Sequence, residues 1–247
     1  MALESHMIQI MRIDILTLFP EMLEATFAAS IVKRAQDANL VEINVFDIRD
    51  WANNKHQKVD DRPFGGGPGM VMMCQPLHDA VQAVERQSKM DPLRVYLTPQ
   101  GEKLTQERVE DLAKKEHLLL IAGHYEGVDQ RIIDALNPLE LSAGDYVLSG
   151  GEIPAMLLVD AVVRLLPGAL GNADSAFEDS FSQRDTVGNR LLDCPHYTRP
   201  RVWNGREVPE ILLSGDHNAV DAWRQKQMVE RTKMRRPDLL QQKEVDP

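Results

Sequence analysis

A chain of 247 residues with 43% apolar residues can bury a sizeable core as one large domain or two modest ones, which excludes global disorder. Its net charge of −10 argues against a nonspecific nucleic-acid binder. Its 2 cysteines, Cys74 and Cys194, exclude a disulfide framework and suggest a reducing, cytoplasmic setting. No apolar run approaches the ~20 residues that span a bilayer, so no membrane is expected. The N-terminus lacks a basic region followed by an apolar one, so it is not read as a secretory signal. Ser5-His6-Met7 resembles a cloning scar, with the natural start expected at Met7 or Met11.

Arg12–Leu18 reads as a strand, ended by Phe19-Pro20. Glu21–Ala38 reads as one amphipathic helix with Met22, Leu23, Phe27, Ile31 and Val32 on its apolar side. Val41–Asp47 alternates as a half-buried strand does. A helix between two strands suggests a parallel sheet. Arg49–Gly69 has no apolar periodicity and reads as a long loop carrying His56, Lys58, Asp60, Asp61 and Arg62 before PFGGGPGM. Its glycines would allow close backbone approach to a ligand, or would simply make a flexible surface loop. It is neither a Walker loop nor a dinucleotide fingerprint.

Pro76–Gln87 reads as a helix, and Leu93–Thr98 as a buried strand stopped by Pro99. Leu104–Lys115 is helical, His117–Ala122 a buried strand, and Arg131–Leu136 helical. Asp145–Leu148 reads as a short strand, and Glu152 opens a helix that is apolar on nearly every face, as in a core or an interface. That helix nevertheless carries Asp160 and Arg164, four residues apart and so on one face. Three strands therefore end in polar, glycine-containing loops: Thr98–Gly101, Gly123–Gly127 and Ser149–Gly151. In open α/β sheets ligands sit beyond the carboxyl ends of the strands. The loops offer backbone groups, Glu126 and Tyr125, but no nucleophile–base set and no metal-ligand spacing. That inventory suits a small polar molecule with an adenine or ribose part better than it suits a hydrolase. The turn at Gly150-Gly151 is equally readable as a tight strand–helix connection.

Gly171–Arg190 is small, polar and acidic and reads as an interdomain linker. From Leu191 a second region begins, with a helix from about Asn218 to Arg235 and Asp216 as N-cap. Between Arg199 and Arg236, nine Lys/Arg stand against five Asp/Glu, a local excess of four positive charges. The domains read as residues 11–170, a linker at 171–190, and a C-terminal domain at 191–247.

The segments VDDRPFGGGPGM, YLTPQG, GHYEGVDQR, GDYVLSGGEIPAM, LLPG, EDSF and LLDCPHYTRP occur in that order. Together they resemble the bacterial tRNA (guanine-N1)-methyltransferases that modify guanine 37, of the SPOUT class, from about Met11 to Leu240. The resemblance implies an α/β fold with a parallel sheet and a deep trefoil knot, plus a small, mainly helical C-terminal domain that binds tRNA. It implies a homodimer, S-adenosylmethionine as methyl donor, and dependence on Mg2+, for which the sequence shows no ligand set. The cofactor contacts it implies are Tyr96, Leu97, Thr98, Pro99, Gly123, Tyr125, Glu126, Gly127, Val147, Leu148, Gly150, Gly151 and Pro154. It makes Asp179 the general base and Arg164 the cation at guanine O6, with Ser175 a further substrate contact. His196, Tyr197, Arg199, Arg201 and Trp203, with His56, Lys58 and Arg62, suit phosphate and loop contacts. His124 stands where the family often has Arg, the segment between Phe181 and Leu191 is longer than in many members, and the tail after Leu240 is short. A different SPOUT-class RNA methyltransferase and a noncatalytic RNA-binding protein are the alternatives.

Overall fold

The computed structural model describes residues 10–171 and 178–240. They fall into two compact units, divided between Gly171 and Asn172.

The first unit is built on five parallel strands: β1 (Met11–Thr17), β2 (Val41–Asp47), β5 (Leu93–Lys103), β6 (His117–Ala122) and β7 (Leu139–Ser142). Their order is β2-β1-β6-β5-β7. The central β6, HLLLIA, is buried at every position. Its side chains alternate between two cores, as the period of a strand requires when both faces are covered. Leu118 and Leu120 pack with helices α1 (Pro20–Phe27), α2 (Ser30–Asp37), α4 (Gln106–Leu112) and α6 (Glu152–Val163). Leu119 and Ile121 pack with α3 (Cys74–Glu85) and α5 (Gln130–Leu136).

Four sequence expectations are corrected. The single helix over 21–38 is two, because Ala29 is extended and Ser30 takes a left-handed φ of 54°. Gln36 Nε2 bonds the Phe27 carbonyl across the break at 3.0 Å. Strand β5 does not stop at Pro99. The chain bulges at 98–101 and rejoins, so that Leu97 and Glu102 both face Leu141. Asp145–Leu148 is not a strand; the strand there is β7, which begins six residues earlier, at Leu139. The glycine-rich segment is not wholly irregular: β3 (Asp60–Asp61) pairs antiparallel with β4 (Val71–Met72).

Helix α6 is buried along Ala155, Leu158, Val159, Val162 and Val163, yet Ile153 is 50% and Leu157 43% exposed. Being apolar all round does not bury it all round within one chain.

In the second unit, β8 (Val202–Trp203) and β9 (Arg206–Glu207) form a hairpin beside α7 (His217–Arg235). Asp216 caps α7, accepting from Ala219 N at 3.1 Å. The buried Thr232 hydroxyl accepts from Leu192 N at 2.9 Å, which docks the entering chain on the helix. Residues 178–190, expected as linker, bond within this unit: Phe181 N to Leu191 O at 2.7 Å and Asp193 N to Ser180 Oγ at 3.0 Å. Cys74 and Cys194 are free thiols. No helix among the described residues is long and apolar enough to cross a membrane.

Candidate functional site

At the β5 bulge and beyond the carboxyl ends of β6 and β7 lies a cavity of about 290 Å³. It is lined by every residue named above as a cofactor contact, from Tyr96 to Pro154. Three connections converge there, each for a local reason.

The first is the β5 bulge. Gly101 is required because a methyl group on it would overlap the Glu140 backbone. The second is the turn after β6. Gly123 faces Tyr96, whose Cε2 would lie 2.9 Å from an added Cβ. Tyr125 sits at φ 61° and Gly127 at φ 120°, so the chain reverses within the YEG segment. The third is the long connection from β7 to α6. Its end pairs with the second: His124 and Gly150 form an antiparallel bridge, and Gly151 N donates to Gly123 O at 2.7 Å. A methyl group on Gly151 would sit 2.7 Å from Ala122 Cα and 2.9 Å from Gly123 N. Glycine thus lets two loops lie backbone to backbone, leaving main-chain groups to face the cavity.

The first turn of α6 anchors this arrangement. Glu152 is 3% exposed, and its carboxyl accepts from Thr17 Oγ1 at the end of β1, at 2.9 Å. Its other oxygen lies 3.5 Å from His124 Nδ1, a buried nitrogen with no hydrogen-bond partner. His124 also packs on Phe19 and Tyr125, with ring centroids 5.0 and 5.1 Å apart. It therefore looks toward Glu152, not outward as a free cation would. Burial pushes the pKa of the Tyr96 hydroxyl up, so it is a neutral donor at physiological pH.

The cavity suits a bound adenosine-like group. It offers main-chain groups in glycine cradles, the aromatics Tyr96 and Tyr125, and the carboxylates Glu126 and Glu140. It also takes in Gln130 at the start of α5, and Glu140 with Ser142–Ala143 on and just after β7, which the sequence reading missed because it missed that strand. Among the described residues, the one three-ligand grouping of His, Cys, Asp and Glu is Asp193, Cys194 and His196, in the second unit. No such grouping lies among the described residues of the cavity.

Arg164 is the C-cap of α6 and half-buried; its backbone N–H bonds Asp160 O at 3.2 Å. Asp179 lies half-buried in the second unit, with its carbonyl accepting from Ser182 N at 3.1 Å. Ser175 falls outside the described residues. Tyr197 and Trp203 are exposed, and Tyr197 packs 6.4 Å from Trp223.

Comparison with known proteins adds the chemistry. Residues 11–242 match the family model described as tRNA (Guanine-1)-methyltransferase TrmD. A Ruminiclostridium cellulolyticum protein named tRNA (guanine-N(1)-)-methyltransferase is 52% identical over 229 residues, 93% of this chain and 96% of its own. A Bacillus cereus (strain AH820) protein of the same name is 50% identical over 235 residues, 95% of this chain and 94% of its own. A Bacillus anthracis (strain A0248) protein of that name matches to the same extent.

Proposed function

Because the chain belongs to the tRNA (guanine-1)-methyltransferase family, it methylates N1 of guanine in tRNA from S-adenosylmethionine, and we propose that the guanine is the one at position 37. The observation that carries the cofactor assignment is the convergence of the three glycine loops on one cavity. Gly123, Gly150 and Gly151 keep the backbone open to the ligand, while Tyr96, Leu97, Thr98, Pro99, Tyr125, Glu126, Gly127, Val147, Leu148 and Pro154 complete its walls. When bound, S-adenosylmethionine supplies an electrophilic methyl group on a sulfonium.

The protein must supply the rest. N1 of neutral guanine carries a proton, so its lone pair is unavailable until a base removes it. Asp179 takes that proton. N1 would then take the methyl group of the bound S-adenosylmethionine, with sulfur taking the electron pair of the broken carbon–sulfur bond. Negative charge grows on O6 during proton loss, and the Arg164 guanidinium stabilises it. If Mg2+ binds near the cavity, the Glu126 carboxylate would be a nearby ligand for an ion that keeps most of its waters and needs few protein ligands. No step here runs through the metal.

The connection that carries Gly150-Gly151 past Ala122-Gly123 is read as the deep trefoil knot of the SPOUT class; the contacts of Gly101 and Gly151 support it. The exposed apolar residues Tyr146, Val147, Leu148, Ile153 and Leu157 support a homodimer. The second unit, with its local positive excess and exposed Tyr197 and Trp203, is read as the tRNA-binding domain, with Ser175 a substrate contact and the cytoplasm as its setting. The deciding experiment is methyl transfer to tRNA transcripts carrying G or A at position 37. Transfer to the G transcript alone is expected; transfer indifferent to that base overturns the position.

A further inference from the structure

Phe64 is 98% exposed, at the tip of the β3–β4 hairpin. Burying a phenylalanine is worth about 1.5–3 kcal/mol, so a side chain fully in water forgoes that stabilisation. The tip gives it nothing to pack on. Gly65, Gly66 and Gly67 all have positive φ, and a Cβ on any of them would meet no atom within 4 Å.

The base of the hairpin is the opposite. Met72 is buried, its N–H donates to Gly127 O at 2.9 Å, and its carbonyl accepts from Asp129 N at 3.0 Å. Glu126 N donates to Met70 O at 3.0 Å, and Gly69 lies so close to the Glu126 side chain that no Cβ would fit. The stem is thus fused to the loop that walls the cofactor cavity, while the tip carries one unsupported aromatic ring.

Its surroundings are polar and carry both signs of charge, with Lys58 paired to Asp61 at 3.1 Å and Arg131 to Asp129 at 2.7 Å. Arg62, Lys58 and His56 are exposed on the same segment, and Arg62, Phe64 and Arg131 line one cleft. No other large apolar residue of this segment is exposed, whereas exposed apolar residues come together along the chain at Tyr146–Leu148, Ile153 and Leu157. A protein partner would find a patch there and a single ring here. An unstacked nucleobase needs one ring to stack on and cations nearby for its phosphates.

Given the RNA substrate argued above, on which this rests, we propose that Phe64 is a base-stacking contact for an unstacked nucleobase of the tRNA. The fused stem would set that base at a fixed distance from the cofactor.

The test uses the full chain and an unmodified tRNA transcript with G at position 37. Binding is measured with S-adenosylhomocysteine present, for wild type, Phe64→Ala and Phe64→Trp. Base–aromatic stacking predicts that Phe64→Ala weakens tRNA binding by about 5- to 150-fold. Phe64→Trp should stay within about threefold of wild type, and affinity for S-adenosylhomocysteine alone should be unchanged in both. Equal tRNA affinity in Phe64→Ala and wild type overturns the proposal. So does a tryptophan variant as weak as the alanine one, or a change of oligomeric state in Phe64→Ala, which would assign the ring to a protein interface. Each of these leaves the methylation reading intact, because wild type still binds and modifies the transcript. A wild type that binds no tRNA overturns both.

Discussion

Thr17 and Glu152, 135 residues apart, share a buried hydrogen bond of 2.9 Å that fastens the end of β1 to the first turn of α6. Thr17 Oγ1 also accepts from Phe19 N at 3.0 Å, so one hydroxyl holds the exit of the strand and the entry of the helix. Replacing it leaves a buried carboxyl short of a donor, which costs about 1–3 kcal/mol. Thr17→Val keeps the shape and should lower unfolding stability by that amount in urea titration. Because Gly150-Gly151 directly precedes Glu152, cofactor affinity should fall as well. Unchanged stability would mean that solvent reaches Glu152 in solution.

Glycines in the two loop systems should respond differently to the same methyl group. At Gly151 the obstacle is backbone, with Ala122 Cα at 2.7 Å and Gly123 N at 2.9 Å from the new carbon. Neither can rotate away, so Gly151→Ala should abolish measurable cofactor binding by calorimetry. Gly66→Ala adds a methyl group to open space at φ 78°, where the cost is left-handed strain of about 1–2 kcal/mol. That variant should retain cofactor affinity. Similar losses in the two would refute the backbone-contact argument.

The amino end of the sheet should set part of the acid stability. Asp14 on β1 is fully buried and accepts from Asn44 Nδ2 at 3.0 Å and Arg12 Nε at 2.9 Å, with His117 Nε2 at 2.8 Å. Burial alone would raise its pKa, but the bonds to His117, Arg12 and Asn44 outweigh that and hold it below the ordinary carboxylate value. A folded-state pKa below the unfolded one gives stability that is present above about pH 4 and is lost as pH falls through the folded value. Asp14→Asn should therefore be less stable than wild type at pH 7, and the gap should narrow below about pH 4. A gap that is constant with pH would show that the lost contacts are not electrostatic.

Elements were legible in the sequence where one local signal was undiluted. β6 is apolar throughout and β2 alternates, and Asp216 precedes its helix as a capping residue does. β7 was not legible, because LELS offers two apolar residues and owes its strand to pairing with β5. Asp145–Leu148 has the apolar look of a strand but finds no partner, and Val147 is 84% exposed. The break at Ala29–Ser30 carries no glycine or proline; packing of both short helices against α6 overrides the local propensity. The cavity was half legible, since glycine spacing marks loops that approach one another but not which strand the third loop leaves. Asp179 and Arg164 carry no pattern of their own. A half-buried acid and a helix-end arginine are ordinary, and their roles came from the ordered motifs around them.

Those two roles can be separated by experiment. Asp179→Asn keeps shape and loses basicity, so turnover should drop by about 100- to 10,000-fold, the span of general-base contributions. Removing the cation in Arg164→Ala should cost about 100- to 1,000-fold, as loss of one oxyanion-stabilising donor does. Neither residue lines the cofactor cavity, so both variants should bind S-adenosylmethionine with wild-type affinity. The pH dependence then distinguishes them. With a base present, N1 need not ionise beforehand, so turnover should depend little on pH. Without it, N1 must ionise unaided, so the residual rate of Asp179→Asn should keep rising toward alkaline pH as deprotonated guanine accumulates. Arg164→Ala should retain the wild-type profile at a lower level. Single-turnover rates across pH 6–9 check both. Near-normal rates in either variant, or a wild-type pH profile for Asp179→Asn, would remove that residue from its role and leave the cofactor cavity as the part of the reading that stands.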